Sequence, residues 1–344
     1  MSTYKELKGT TVDILTADPP TSLAQGAMWY RSSANAYKMG GKAASWSAGG
    51  TNLWPWVGCP SGGTQTAAFC AAGAGTSPPA PAGNPQALVY YNGTAWTNQS
   101  NNSPGNESYQ SGAGIQDECF VGYGRGPLPL SSTVAYFNGT SWTSSAGGGG
   151  RRYGAGFGTG SAAIMCGGGG WPWNYPGAFS EEWNGSSWTA TNALSQGRAS
   201  DNAATGVESA GMLVGGGTFH SPSPGIHTYF DVTEEYNGTS WSSGGNLPTP
   251  SSQAGCGGPI TAAVAAGGNA PALGGANNVV NQYNGTAWSA LNNTAIARAA
   301  GGTAKSGTLT AFMVTGGNAP SVPGATDSTE ELSEVDGVLT ISTS

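Results

Sequence analysis

The chain has 344 residues, with 18 Asp and Glu against 11 Lys and Arg and a net charge of −7. So few basic residues leave no stripe to neutralise phosphates, which argues against nucleic-acid binding, and no apolar run approaches the ~18 residues that a membrane span needs. The 59 Gly and 21 Pro are set against 12 Trp, 13 Tyr and 8 Phe, a balance that predicts an ordered, β-rich chain of short strands joined by many turns.

Met1 to Gly9 contain no apolar stretch of the secretory kind, so no signal peptide is expected. TTVDILT (10–16) alternates enough for one strand, and Asp18-Pro19-Pro20 blocks a helix there. Residues 29–46 read as a hairpin pair, with Trp46 falling 50 positions before Trp96. Two readings of this stretch stay open: a truncated seventh copy of the repeat described next, or a small β-module ahead of six copies, which is preferred.

From residue 90 one motif recurs: YYNGTAWT (90–97), YFNGTSWT (136–143), EWNGSSWT (182–189), EYNGTSWS (235–242) and QYNGTAWS (282–289). Its tryptophans, Trp96, Trp142, Trp188, Trp241 and Trp288, are spaced by 46, 46, 53 and 47. SEVDGVLT (333–340) reads as a degenerate sixth copy, with Gly337 in the place of Gly285. A period near 48 matches one four-stranded blade of a β-propeller. Asn-Gly between aromatic and β-branched residues predicts a two-residue type I′ hairpin, which makes Gly93, Gly139, Gly185, Gly238 and Gly285 turn residues and the tryptophans core.

Upstream of each turn lies an apolar run that in most copies ends in glycine: AAFCAAGAG, CFVGYG, AIMCGGGG, MLVGGG, AVAAGG and AFMVTGG. These read as buried strands. Small-residue segments before them, such as RASDNAATG (198–206) and RAAGGTAKSG (298–307), read as the innermost strands. The fold expected is an all-β propeller of about six four-stranded blades, seven being the alternative, with a short N-terminal β-module.

The GG doublets 167–168, 215–216, 267–268 and 316–317, with Glu181-Glu182, Glu234-Glu235 and Glu330-Glu331, resemble the kelch repeat. EEYNGTSW with MLVGGG is similar to the kelch-like repeats of structural proteins from tailed, marine-type bacteriophages, and LKGTTVDILTADPPTSLAQGAMWYRSSANAYKMGG resembles the stretch that often precedes them. That resemblance implies a virion protein, assembled in the host cytoplasm and oligomeric by virion symmetry. It further implies attachment to other virion proteins through residues 1–50, with the propeller over 51–344.

No chemistry stands out. The five cysteines, at 59, 70, 119, 166 and 256, are odd in number and widely spaced, and read as buried thiols. His220 and His227, seven apart in GTFHSPSPGIHTYFDV, are the one metal-ligand candidate and read better as part of a surface loop. Sialidase-like hairpins need Asp where this chain has Tyr or Trp, and Arg151, Arg198 and Arg298 stand at repeat-equivalent places, which suits structure. A glycosidase needs two carboxylates across the scissile bond, whereas the recurring Glu pairs suit strand or blade bonding. The nine Asn-x-Ser/Thr sequons mostly follow from turn chemistry. No catalytic residue, metal or cofactor is assigned.

Binding is expected on the loops between second and third strands: 75–84, 124–132 (with Arg125), 170–179, 220–227, 269–278 and 318–327. In WPWNYP, Trp171, Trp173 and Tyr175 are spaced by Pro and Asn, which suits a stacking platform for a sugar ring or partner surface; the alternative is a hydrophobic cap over the propeller mouth. Trp54 and Trp56 in LWPW repeat the pattern. The function expected is a non-catalytic virion protein, on tail fibre or head appendage, that displays a propeller for host-surface glycan. The alternatives are a purely architectural decoration protein and a polysaccharide-acting propeller enzyme.

Overall fold

The computed structural model describes residues 13–15, 17, 28–71, 73–75, 86–104, 110–124, 132–147, 150–170, 177–199, 203–220, 223–321 and 325–341. The chain divides into Trp46–Leu332 and a smaller unit of Met1–Ser45 with Ser333–Ser344.

The larger unit is a β-propeller of six four-stranded antiparallel blades. Blade 1 is Ser61–Thr64, Ala67–Ala71, Leu88–Tyr91 and Trp96–Asn98; blade 2 is Ser111–Ile115, Glu118–Gly122, Thr133–Phe137 and Trp142–Ala146. Blade 3 is Arg151–Gly158, Ala163–Gly170, Ser180–Trp183 and Trp188–Ala190. Blade 4 is Ala204–Val207, Ala210–Val214, Thr233–Tyr236 and Trp241–Ser243; blade 5 is Gly255–Gly257, Val264–Ala266, Val280–Tyr283 and Trp288–Leu291. First strands pack in sequence from blade 1 to blade 6, and blade 6 packs on blade 1, so the ring is closed. The first strands must be small. A Cβ at Gly62 would lie 2.4 Å from Gly114 O of the next blade.

The second strands are apolar on both faces because a blade lies on each side of them. Five buried clusters sit on successive seams, such as Phe69, Leu88, Val121 and Phe137 between blades 1 and 2, and Met212, Cys256, Tyr283 and Trp288 between blades 4 and 5. Each repeat tryptophan tilts onto the aromatic residue that it faces across the hairpin, as Tyr91–Trp96 does at 4.9 Å and Tyr283–Trp288 at 4.9 Å. Burial of each such ring contributes about 1.5–3 kcal/mol. The five cysteines are buried thiols outside any disulfide, and burial pushes those of Cys166 and Cys256 up to about 12.

The hairpin turns differ from the expected type I′. Tyr91 pairs with Trp96, so four residues form the loop. Gly93 has φ +90, while Asn92 is not among the residues with positive φ. Asn92 Oδ1 instead accepts the N–H groups of Thr94 at 3.0 Å and Ala95 at 2.9 Å. The same Asx turn recurs at Asn138, Asn184, Asn237 and Asn284. The asparagine carboxamide closes the loop, so its own backbone need not turn left-handed.

Blade 6 holds two further corrections. Thr329–Ile341 is one continuous strand, so Gly337 does not turn a hairpin and SEVDGVLT is not a repeat copy. The fourth strand comes from the other end of the chain: Ala36–Ala48 lies beside Thr329–Ile341, which lies beside Ala311–Thr315 and then Gly302–Thr303. Trp46 is therefore the missing sixth tryptophan, and the described residues form six blades without a seventh. Trp46 Nε1 donates to Asn292 O at 2.7 Å, just as Trp142 Nε1 donates to Asn101 O at 3.2 Å. Both acceptors follow the last strand of the preceding blade.

Three devices recur, two of them across the seams and one, the arginine–glutamate pair, within a blade. The second glycine of each doublet donates its N–H to the segment entering the next blade: Gly168 to Arg198 O, Gly216 to Ser251 O, Gly268 to Arg298 O and Gly317 to Trp56 O, at 2.7–2.9 Å. The first Glu of each pair meets a buried arginine, at Arg151–Glu181 3.0 Å, Arg198–Glu234 3.1 Å and Arg298–Glu330 2.5 Å. The second Glu accepts the next blade's tyrosine hydroxyl, Tyr283 to Glu235 and Tyr91 to Glu331, each at 2.6 Å.

In the smaller unit, Asp13–Leu15 runs parallel to Met28–Arg31, which pairs antiparallel with the start of Ala36–Ala48. The hairpin expected over 29–46 is present. A short 3-10 turn, Ser32–Ala34, and left-handed Asn35 (φ 48) reverse the chain.

Candidate functional site

Two faces result from the blade geometry. Turns between first and second strands lie beside the Asx turns, so a Cβ at Gly139 would stand 3.1 Å from Asp117 O. The opposite face gathers the second-to-third-strand loops and the links between blades.

On that loop face, one left-handed residue stands at the entry to the innermost strand in four of the blades: Gly58 (φ 62), Gln253 (φ 60) and Ala300 (φ 55) precede the strand, and Tyr153 (φ 59) is skipped by the pairing near the start of Arg151–Gly158. Gly58 N donates to Ala300 O at 2.8 Å, and Ala300 N to Gln253 O at 2.9 Å. A hydrogen-bonded rim thus runs through blades 5, 6 and 1. Left-handed backbone at a non-glycine residue costs about 1–2 kcal/mol, and three of these four residues carry side chains.

Blades 2 and 3 depart most from the repeat here. Tyr123 (φ 59) and Gly124 take the place of a glycine doublet. Arg151 lies 4.4 Å from the Tyr123 ring and 4.9 Å from the Phe179 ring, and Arg152 lies 5.0 Å from the Tyr153 ring. The Tyr123 hydroxyl donates to Glu181 Oε2, which also pairs with Arg151. Phe179 is 54% exposed, with Leu273 at 45% and Leu53 at 44% on the same face. A cleft of about 20 Å³ lies between blades 4 and 5, lined in part by Leu247, Ala254, Leu273 and Asn277, room for about one water.

Of the candidate binding residues, Trp54 and Trp56 stack at 5.2 Å and 14°. Trp56 is buried, Trp54 half-buried, and Trp56 O takes the Gly317 N–H from blade 6. Trp56 is therefore a seam residue, and Trp54 presents the outer ring of the stack. His220 ends the strand Gly217–His220 and His227 lies within Ser223–Tyr229. These strands form a bulged hairpin where the prolines suggested a loop, and His227 falls at the register shift opposite Thr218 and Phe219. Arg125, Trp171, Trp173 and Tyr175 lie outside the described residues. Phe179 and Leu273 fall in the loops 170–179 and 269–278 where binding is expected, and Leu53 heads LWPW, but no period in the sequence singles these residues out.

Six carboxylates are engaged in structure, while Glu182 and Glu208 lie against each other; burial, followed by that contact, raises the Glu182 pKa. Glu181, Glu234 and Glu330 pair with arginines, Glu235 and Glu331 hold tyrosines, and Glu118 accepts the Tyr136 hydroxyl at 2.8 Å. Burial lowers the Arg198 and Arg298 pKa values, and the paired Glu234 and Glu330 oppose that shift. Among the described residues, no group of three His, Cys, Asp or Glu side chains is placed to hold a metal ion, and no helix is long and apolar enough to cross a membrane.

The solved structure of YjhT is similar to this chain, with a TM-score of 0.59 at 15% identity over 83% of this chain and 99% of that one. At that identity the likeness speaks for the fold alone. No family model matches the chain, and no curated protein matches it.

Proposed function

We propose that the chain is a non-catalytic structural protein of a virion, held to other virion proteins through residues 1–50, whose propeller turns its loop face to host-surface glycan. The observation that carries the binding role is the placement of half-buried Trp54 beside exposed Leu53, and of exposed Phe179 and Leu273 from separate blades, on the loop face of a ring locked by repeated seam bonds. Exposed rings on a rigid frame bind sugar faces at small entropic cost. The Trp171, Trp173 and Tyr175 platform belongs to the same reading, since these positions fall between the second and third strands of blade 3. The virion role rests on the resemblance of EEYNGTSW and MLVGGG to phage repeats. The non-catalytic role is supported by carboxylates already committed to arginine and tyrosine partners.

The same exposed apolar groups favour a second reading, a decoration protein whose loop face meets neighbouring subunits. Glycan-array binding separates the two. Native protein should bind a restricted glycan set; Trp171→Ala/Trp173→Ala should lose it while keeping the melting temperature, and Trp54→Ala should lose it with some loss of stability because Trp54 also stacks on buried Trp56. No glycan bound by native protein would leave the decoration role.

A further inference from the structure

Lys305 is 5% exposed and stands at the axis of the ring. Blade 6 carries it there by an insertion. From the left-handed residue to the first-turn glycine is five positions in blades 1, 3 and 5 (Gly58 to Gly63, Tyr153 to Gly158, Gln253 to Gly258) but seven in blade 6 (Ala300 to Gly307). Gly307 is the equivalent glycine because a Cβ there would meet the carbonyl four residues on, as at Gly63 and Gly158.

The inserted turn touches every other blade. Ser306 N donates to Gly63 O of blade 1 at 2.9 Å, and Gly258 N of blade 5 donates to Lys305 O at 3.1 Å. The Thr205 hydroxyl of blade 4 lies 2.8 Å from both Lys305 O and Gly258 O. Lys305 Nζ donates to Gly112 O of blade 2 and Gly156 O of blade 3, each at 2.7 Å. Both carbonyls belong to innermost strands. A Cβ at Gly156 would come within 2.9 Å of Gly112 O, so the two strands converge where the ammonium sits.

We propose that the axis is a binding site for a small, monovalent, hydrogen-bond-donating cation, and that the chain fills this site with its own Lys305 ammonium. Carbonyl dipoles from blades 2 and 3 replace the water that the ammonium loses. The stem ties them to blade 6. An unfilled cradle leaves buried carbonyls without donors, which is costly, and a free ammonium ion has the charge and the donors to replace the side chain.

The test is thermal unfolding of native, Lys305→Ala and Lys305→Met protein in ammonium, methylammonium and tetramethylammonium chloride at equal ionic strength. Lys305→Ala should melt below native and regain the loss, in a graded way, with ammonium or methylammonium but not with tetramethylammonium, which has no N–H. An equal response to all three salts, or a melting temperature equal to native, overturns the site. Should Lys305→Ala give no folded protein, Lys305→Met decides. Apolar isosteres of ill-matched buried ions are neutral or stabilising, so melting at or above native overturns the site. Melting below native, or failure to fold, supports it.

Discussion

Tyr91 donates its hydroxyl to Glu331 Oε1 at 2.6 Å across 240 positions of sequence, and Tyr283 makes the same bond to Glu235 at 2.6 Å. The first joins blade 1 to blade 6, where the ring closes; the second joins blades 5 and 4 within it. Trp96 Nε1 likewise donates to Thr329 Oγ1 at 3.0 Å, and Trp288 Nε1 to Thr233 Oγ1 at 2.9 Å. The closing seam is chemically the same as an interior one. Tyr91→Phe and Tyr283→Phe should therefore cost similar amounts, about 1–3 kcal/mol each for a hydrogen bond to a charged acceptor. Urea unfolding of both variants checks this, and a far larger loss for Tyr91→Phe would mark the closing seam as a special case.

Arg298 and Glu330 pair at 2.5 Å with side chains 2% and 6% exposed. Removing one partner strands a buried charge and should cost about 3–5 kcal/mol. Glu330→Gln alone should lower stability strongly, and Arg298→Met with Glu330→Met should recover much of the loss. A double variant that is no better than the single one would mean that the arginine's bonds to Gly316 O and Ser328 O matter more than the pair.

Gly215 and Gly274 separate two costs of adding a methyl. Both have positive φ, +58 and +85, but a Cβ at Gly215 meets Ser251 O at 2.2 Å and one at Gly274 meets nothing within 4 Å. Gly274→Ala should cost about 1–2 kcal/mol from backbone strain. Gly215→Ala must also push blade 5 away from blade 4, and should yield little folded protein. Calorimetry on the pair reads the difference.

Alkaline pH should destabilise the ring. Burial, followed by hydrogen bonding to Glu331, pushes the Tyr91 phenol up to about 12, and burial with Glu118 does the same at Tyr136. The Cys166 and Cys256 thiols also rise to about 12, mainly by burial. Unfolded thiols ionise near pH 8.5 and phenols near 10. The folded values are the higher ones, so this stabilisation is complete below those pH values and is lost as pH rises towards 12. Denaturant midpoints should be flat to about pH 8 and fall from about pH 9. A flat profile to pH 11 would contradict the assignment of burial as the cause.

Much of this fold is legible in the sequence because its signals are local. Tyr236, Asn237, Gly238 and Trp241 lie within six residues and specify a hairpin by themselves. The apolar runs ending at Gly215-Gly216 and Gly267-Gly268 mark strands that are covered on both sides. What is not legible depends on partners far away. Nothing near Trp46 says that its strand will complete a blade begun at Gly302, and Gly337 imitates a turn inside a strand that runs straight. The two extra residues around Lys305 are visible when RAAGGTAKSG is aligned with its counterparts, yet only a closed ring gives that lysine carbonyls from blades 2 and 3. On the loop face, Trp54 and Trp56 are next-nearest neighbours in sequence with opposite roles, because one stacks outside and the other fills a seam.

The most direct test of the proposed role is cryo-electron microscopy of the purified native particle, with this chain traced in its density. The account predicts residues 1–50 docked on a neighbouring virion protein and the loop face, with Trp54, Phe179 and Leu273, turned outward to solvent. A loop face buried against other subunits would contradict the glycan-binding role, and a particle without the chain would contradict the virion role itself.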